Sequence, residues 1–240
     1  MPELSTYTYA FLGGLLPALL WLWFWLKEDK KRPEPRGLIV FAFIAGMIAV
    51  PLVLPLEKFA AAHFTGFIML VLWSASEEIL KYLAAFFSVL KRKEMDEPVD
   101  AVMYMITVAL GFAALENTFF LLNPLSDGNV IGGILTGNLR FVGATLLHVL
   151  ASATIGLAIA LSFYKSRAVK RIYLLTGIAL AVILHSLFNF FIMESNGDQL
   201  FTVFLSVWAG IIILILLLEK VKRMRKPRKL FIRKTKHGAK

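Results

Sequence analysis

Seven stretches of this chain are each long and apolar enough to cross a bilayer, and that leaves room for few architectures. They cover residues 9–26, 37–56, 64–90, 99–122, 141–164, 172–193 and 200–218. A hydrocarbon core about 30 Å thick needs about 20 apolar residues of helix. Backbone facing lipid must satisfy its own hydrogen bonds, so only helices and closed barrels span membranes. A barrel would show short segments of alternating hydropathy instead. The expected fold is therefore all-α: a polytopic integral membrane bundle of about seven transmembrane helices. It forms a single membrane domain over 1–218, followed by a basic tail over 219–240. Composition agrees, at 58% hydrophobic, 18% charged and a mean hydropathy of +0.73. These values exclude a soluble enzyme, a nucleic-acid-binding domain and a disordered chain. The sequence has no cysteine, so disulfides, thiol nucleophiles and Cys-ligated zinc are excluded too.

Lysine and arginine give the orientation. Of the 26 cationic residues, 23 fall in the alternating set of connections 27–36, 91–98 and 165–171 and in the tail. The opposite set, the N-terminus and the connections 57–63, 123–140 and 194–199, holds Lys58 and Arg140, and Lys81 lies inside a span. The positive-inside rule then places the N-terminus outside and the C-terminus in the cytoplasm. The first span has no positive segment before it, so it reads as a retained anchor rather than a cleaved signal. Trp21, Trp23 and Trp25 near its cytoplasmic end read as an interfacial belt. The tail accounts for the net charge of +10 and suits anionic lipid headgroups, with no nucleic acid required. His63 and His237 read as solvated bystanders. The glycine-containing segment 123–138 reads as a flexible cover on the outer face, or as a plain linker.

The informative residues are the ionisable ones inside spans. Spans one, two and seven have none, whereas spans three to six carry Glu77, Glu78, Lys81, Glu116, His148 and His185. Each charged group at mid-bilayer costs roughly 2.5–3.5 kcal/mol on the insertion scale, so such residues default to a functional site facing the bundle interior. The bland alternative is a Glu78–Lys81 ion pair with hydrogen-bonded histidines stapling helices together. Depth argues for a shared site. At about 1.5 Å per residue, Glu77 and His185 lie about 20 Å from the cytoplasmic ends of their spans, and Glu116 and His148 about 25 Å. Spacing argues the same way, because residues four apart share a helix face. Glu77 and Lys81, Phe112 and Glu116, His148 and Ser152, and His185 and Asn189 are so spaced, with Thr145 one turn from His148. Adjacent Glu77 and Glu78 diverge by about 100° around their helix. One should face the reaction centre and the other a neighbouring helix or Lys81; which does which is open at this level.

The order of these stripes resembles one known family. An EExxK motif (Glu77, Glu78, Lys81) is followed one span later by FxxxE (Phe112, Glu116), then by a membrane histidine with serine four on (His148, Ser152), then by HxxxN (His185, Asn189). This is similar to the PrsW intramembrane proteases and, more distantly, to the CAAX prenyl endopeptidases of the same superfamily. The likeness covers about residues 65–193. It implies a catalytic core over spans three to six (64–193) of a multi-pass protein of the cell membrane. It also implies an endopeptidase acting on a single-span membrane protein, in the manner of site-1 cleavage of an anti-sigma factor.

On that resemblance Glu77 is the base that activates water, and Glu116 or His148 holds the water in place. His185 and Asn189 stabilise the oxyanion. Lys81 tunes or pairs with Glu78, while Phe112 and Ser152 support the site. Ser152 is poorly suited as a nucleophile, having no obvious third residue to orient a triad. We favour glutamate-activated water with no committed cofactor. Zinc is the alternative, with Glu116, His148 and His185 as its ligand set, because catalytic zinc takes three protein ligands and a water. A proton- or ion-coupled transporter is the rival from another class, since buried Glu, Lys and His also build proton relays. Against it stand the lack of a repeat and the position of Pro51 and Pro55 in span two, which is expected to lie away from the cluster. A retinal protein would want a lysine deep in span seven, which has none, and a non-catalytic scaffold would keep the fold alone.

Overall fold

The computed structural model describes residues 3–28, 32–194 and 199–225. These residues are helical with short connections: α1 (Leu4–Leu26), α2 (Arg36–His63), α3 (Gly66–Ala85), α4 (Pro98–Ser126), α5 (Val130–Leu139), α6 (Thr145–Leu161), α7 (Arg167–Glu194) and α8 (Leu200–Lys222). A π-helical turn, Phe86–Leu90, extends α3, and another, Arg140–Ala144, joins α5 to α6. Among the described residues, six helical segments are long and apolar enough to cross a membrane, counting Val130–Leu161 as one. α3 has 20 residues and carries Glu77, Glu78 and Lys81 in its interior. The protein is thus an all-helical, multi-pass membrane protein. Many large apolar side chains point outward, among them Leu16, Leu52, Ile68, Leu175 and Leu216. Lipid can accept such a surface, whereas water would not.

α4 is the axis of the bundle. Every residue from Pro98 to Ala114 is buried, as expected of a helix that is apolar all round. Its start is well specified. Pro98 stands in the first turn, and the Asp100 carboxylate accepts the N–H groups of Asp96 (2.9 Å) and Glu97 (2.6 Å). α1, α2, α3, α6 and α8 all pack on α4, and α7 closes the far side against α3 and α6. In lipid such packing depends on close approach rather than on hydrophobic expulsion, so small residues sit at the crossings. α2 and α4 meet through a reciprocal glycine pair. A Cβ on Gly46 would lie 2.0 Å from the Val108 carbonyl oxygen, and one on Gly111 would lie 1.9 Å from that of Phe43.

Four expectations from sequence need correction. The segment 123–138 is not a loose cover. α4 runs to Ser126, Gly128 turns the chain at φ +72°, and Asn129 caps α5 by accepting the Gly132 N–H (2.8 Å). Gly133 of α5 lies against Leu125, so this glycine serves packing. Residues 57–63 are not a loop either, because α2 continues to His63 past the charges that end its apolar run. Span two is not remote from the polar cluster: Val50, Val53, Leu54 and Glu57 line the same cavity as the cluster. The tryptophans are not all a belt. Residues four apart share a face, so Trp21 and Trp25 turn inward while Trp23 is exposed beneath Lys27. His63 is exposed, as expected. His237 and most of the basic tail lie outside the described residues.

Overpacking a close crossing typically costs about 1–3 kcal/mol, and more where backbone is the obstacle. Gly46→Leu and Gly111→Leu should each lower the thermal unfolding midpoint of the purified protein in detergent. Gly37→Ala, which meets open space, should leave it unchanged.

Candidate active site

The sequence places Glu77, Glu78 and Lys81 on α3 at positions i, i+1 and i+4, and the structure separates the two carboxylates. Glu78 is completely buried and both of its oxygens are hydrogen-bonded. Oε1 accepts from Lys81 Nζ (2.5 Å) and from His185 Nδ1 (2.9 Å), and Oε2 accepts from Ser152 Oγ (3.0 Å). The Ser152 hydroxyl is therefore committed to Glu78. Lys81 is equally buried; Nζ also donates to His148 Nδ1 (3.0 Å) and lies 4.6 Å from the centroid of the Phe112 ring. The expected ion pair is present, but as one part of a larger network.

Glu77 is the exception to this saturation. It is buried, yet its Oε2 has no hydrogen-bond partner. Three nitrogens surround that oxygen beyond bonding distance: Lys81 Nζ at 3.6 Å, His148 Nδ1 at 3.8 Å and His185 Nε2 at 3.9 Å. The hydrogen bonds fix what the imidazoles present. A carboxylate only accepts and an ammonium only donates. His148 Nε2 therefore carries the proton it gives to Glu116 (3.0 Å), and its Nδ1, facing the ammonium, carries a lone pair. His185 gives its Nδ1 proton to Glu78, and in the neutral ring Nε2 keeps a lone pair toward Glu77.

Charge is uneven across the site. Lys81 offsets Glu78, and Arg140 offsets Glu116. The Glu77 charge has no dedicated partner among the described residues. Glu116, expected beside the water, is held by Arg140 and faces the outer nitrogen of His148. Asn117, one residue on, donates to Thr145 Oγ1 (3.0 Å). Asn189 makes a long contact from Nδ2 to Ser74 Oγ (3.5 Å) and lines the cavity.

That cavity has a volume of about 610 Å³. Its polar lining is Glu57, Glu77, Glu116, Arg140, His148, His185 and Asn189, and its walls include Trp73, Phe112 and Phe188. It sits where α2, α4 and α7 end and α8 begins, opposite the connections rich in Lys and Arg. All the motif stripes thus meet around one cavity. Two lining residues were not legible as site residues, Glu57 and Arg140, because each falls at the edge of an apolar run and was assigned to a connection. The Trp73 Nε1–H bond to the Glu57 carbonyl (2.9 Å) ties α2 to α3 at that point. The ligand set expected from sequence is also corrected. Glu77, not Glu116, converges with His148 and His185, their donor atoms all lying within 4.8 Å of one another.

The profile described as "PrsW family intramembrane metalloprotease" matches residues 34–217. The chain belongs to the PrsW family. It is 27% identical to Protease PrsW of Geobacillus kaustophilus, over 82% of this chain and 86% of that one. It is 26% identical to Protease PrsW of Oceanobacillus iheyensis, over 88% and 94%, and 26% identical to that of Clostridioides difficile, over 76% and 79%. No solved structure matches significantly. The protein is accordingly a membrane protease, and the cavity is where its family motifs gather.

Removing one partner of a buried ion pair typically costs about 3–5 kcal/mol, because the other charge is left unpaired. Lys81→Met should destabilise the detergent-solubilised protein by that order. The double variant Glu78→Gln/Lys81→Met should cost clearly less than the sum of the single changes. Equilibrium unfolding of the four proteins in one cycle measures this.

Proposed function

We propose that the protein hydrolyses a peptide bond of a single-span membrane protein in the cell membrane, using water activated at Glu77. The observation that carries this reading is the Glu77 Oε2 atom: buried, unpartnered and faced by two imidazole nitrogens. Of the two adjacent carboxylates, only Glu77 lines the cavity, and only Glu77 has an oxygen with no hydrogen bond. Glu78 acts instead as an anchor, holding His185 and Ser152 in place.

The family description implies a metal, and the residues fit one. A carboxylate oxygen and two imidazole nitrogens converge, a donor set of the kind that binds catalytic zinc once the Lys81 ammonium moves off His148 Nδ1. Glu78 on the far nitrogen of His185 and Glu116 on the far nitrogen of His148 are the outer carboxylates such histidines usually have. Glu77, His148 and His185 would hold the ion. When bound, a divalent metal lowers the pKa of water and polarises the scissile carbonyl.

The chain's own groups do the rest. The cavity admits an unwound stretch of substrate and shields it between aromatic walls. His185 Nε2 and Glu77 accept the two O–H bonds of the water, and Glu77 takes its proton. Of the pair assigned to the oxyanion by resemblance, His185 is committed through Nδ1 to Glu78, whereas Asn189 has amide N–H to spare. Asn189 therefore serves as the oxyanion donor, a contribution usually worth about 10²–10³ in rate. Glu77 then returns the proton to the leaving amine. The cavity lies opposite the cationic connections, so cleavage is on the extracytoplasmic side, with the N-terminus outside and the C-terminus inside. The basic tail rests on anionic lipid.

The test is co-expression with candidate single-span membrane proteins. Wild type should cleave one of them. Glu77→Gln and His185→Ala should lower the rate by at least about 100-fold. Equal cleavage by all three would end the reading. Stripping the purified protein with a strong chelator should abolish activity, and zinc should restore it. Full activity without bound zinc, by elemental analysis, would leave the glutamate as the working group.

A further inference from the structure

We propose that Arg140, which belongs to none of the four motifs, is a positioning residue that acts through Glu116 to hold the Nε2–H and the ring orientation of His148. The proposal rests on the reading of His148 as part of the active site.

Arg140 is held too specifically to be a loop cation. Its guanidinium donates to the Glu116 carboxylate, its Nε donates to Asn117 Oδ1 (2.5 Å), and its Cζ lies 3.8 Å from the Phe120 ring centroid. These three partners are consecutive or one turn apart on α4, so one side chain reads a whole helix face. Glu116, gripped in this way, accepts the Nε2 proton of His148. That bond leaves Nδ1 as the acceptor nitrogen, which takes a hydrogen bond from Lys81 Nζ (3.0 Å) and lies 3.8 Å from Glu77 Oε2.

The backbone is built to aim this side chain. Arg140 opens the π-helical turn Arg140–Ala144, a feature often found at functional sites. Two indoles hydrogen-bond to carbonyls of this turn. Trp21 on α1 donates to the Phe141 carbonyl (3.3 Å), and Trp208 on α8 donates to that of Val142 (3.2 Å). Gly143 lets Phe204 of α8 press on the same turn, where a Cβ would lie 2.3 Å from the ring. Helices outside the four motif-bearing spans thus brace the one turn that carries Arg140.

The two histidines are served alike. Lys81 holds Glu78, which takes the Nδ1 proton of His185. Arg140 holds Glu116, which takes the Nε2 proton of His148. Two cation–carboxylate–imidazole chains end at the same Glu77 oxygen. The first is contained in the motifs. The second is completed only by Arg140.

The test reads His148 directly. ¹⁵N-histidine-labelled protein in detergent micelles, with no substrate present, should show His148 as a single tautomer protonated at Nε2, assigned by its loss in His148→Gln. Arg140→Met should shift and broaden the His148 Nε2–H signal, as Glu116 and the ring lose their fixed position, while Lys81 still holds Nδ1 as an acceptor and the His185 signals keep their positions. Arg140→Lys should fall between, because an ammonium can hold Glu116 but cannot fork to Asn117 as well. With a cleavable substrate, Arg140→Met should lower kcat about 10- to 100-fold. KM should stay within about twofold, and a Glu116→Gln background should show no further loss. Unchanged His148 signals in folded Arg140→Met would overturn the proposal. So would a change in KM alone, which would make Arg140 a substrate contact, or additive losses with Glu116→Gln. If Arg140→Met does not fold, the His148 signals of Arg140→Lys decide. Because the spectra need no substrate, an absence of proteolysis would count against the proposed function and leave this result standing.

Discussion

An ionised carboxylate surrounded by hydrocarbon must find a partner, and the architecture of this protein follows from that need. Four motif-bearing spans bring three carboxylates, a lysine and two histidines into the membrane. At roughly 2.5–3.5 kcal/mol for each charged residue, no single helix could carry its share exposed to lipid. The groups are tolerable because they meet: Glu78 with Lys81, Ser152 and His185, and Glu116 with Arg140 and His148. The bundle is the arrangement of helices that lets those bonds form at once. Breaking one would leave a buried charge whose cost exceeds what the bond itself contributes.

Such pairing sets a packing requirement that α4 meets. Side chains as short as serine can bridge helices only where backbones run close, and in lipid closeness comes from small residues. The Gly46–Gly111 crossing brings α2 onto α4, and Gly156 brings α6 onto the same helix at Ala101 and Val102. With α4 enclosed on all sides, the polar groups of α3, α6 and α7 gather at one end of the bundle. There the helices diverge enough to leave a cavity. Tight crossings and an open cavity are thus parts of one design: close contact along the axis makes room for a polar site at its end.

Much of this was legible in the sequence, for identifiable reasons. Helices and their approximate spans follow from apolar length, which the bilayer enforces. The polar stripes follow from a period of 3.6, which holds in any helix. The signals that misled were those in which charge and glycine stand for more than one thing. Glu57 and Arg140 end apolar runs, so hydropathy assigned both to connections, although helix continues through each of them. The glycines of 123–138 suggested mobility, yet they turn and pack an ordered pair of helices. The choice between Glu77 and Glu78 lay beyond the sequence. Their 100° divergence says that they differ, while only the tertiary positions of Ser152 and His185 say which is saturated.

The saturation of Glu78 gives the free oxygen of Glu77 its meaning. In a poorly packed protein an unpartnered buried acceptor would be a defect among others. Here the neighbouring carboxylates are bonded, both histidines are oriented by carboxylates on their far nitrogens, and the cations are committed. Among the described residues only the Trp25 indole N–H and this Glu77 oxygen are buried without a hydrogen bond, and of the two only Glu77 lines the cavity, beside two imidazole nitrogens. Groups that accept and cannot donate do not satisfy each other, so whatever completes them must bring positive charge or a proton. Water about to be split and a metal ion both do so, and substrate reaches them only through the cavity. The stability of the surrounding network is therefore what maintains the reactivity at its centre. Each saturated bond removes an alternative partner that Glu77 could otherwise collapse onto.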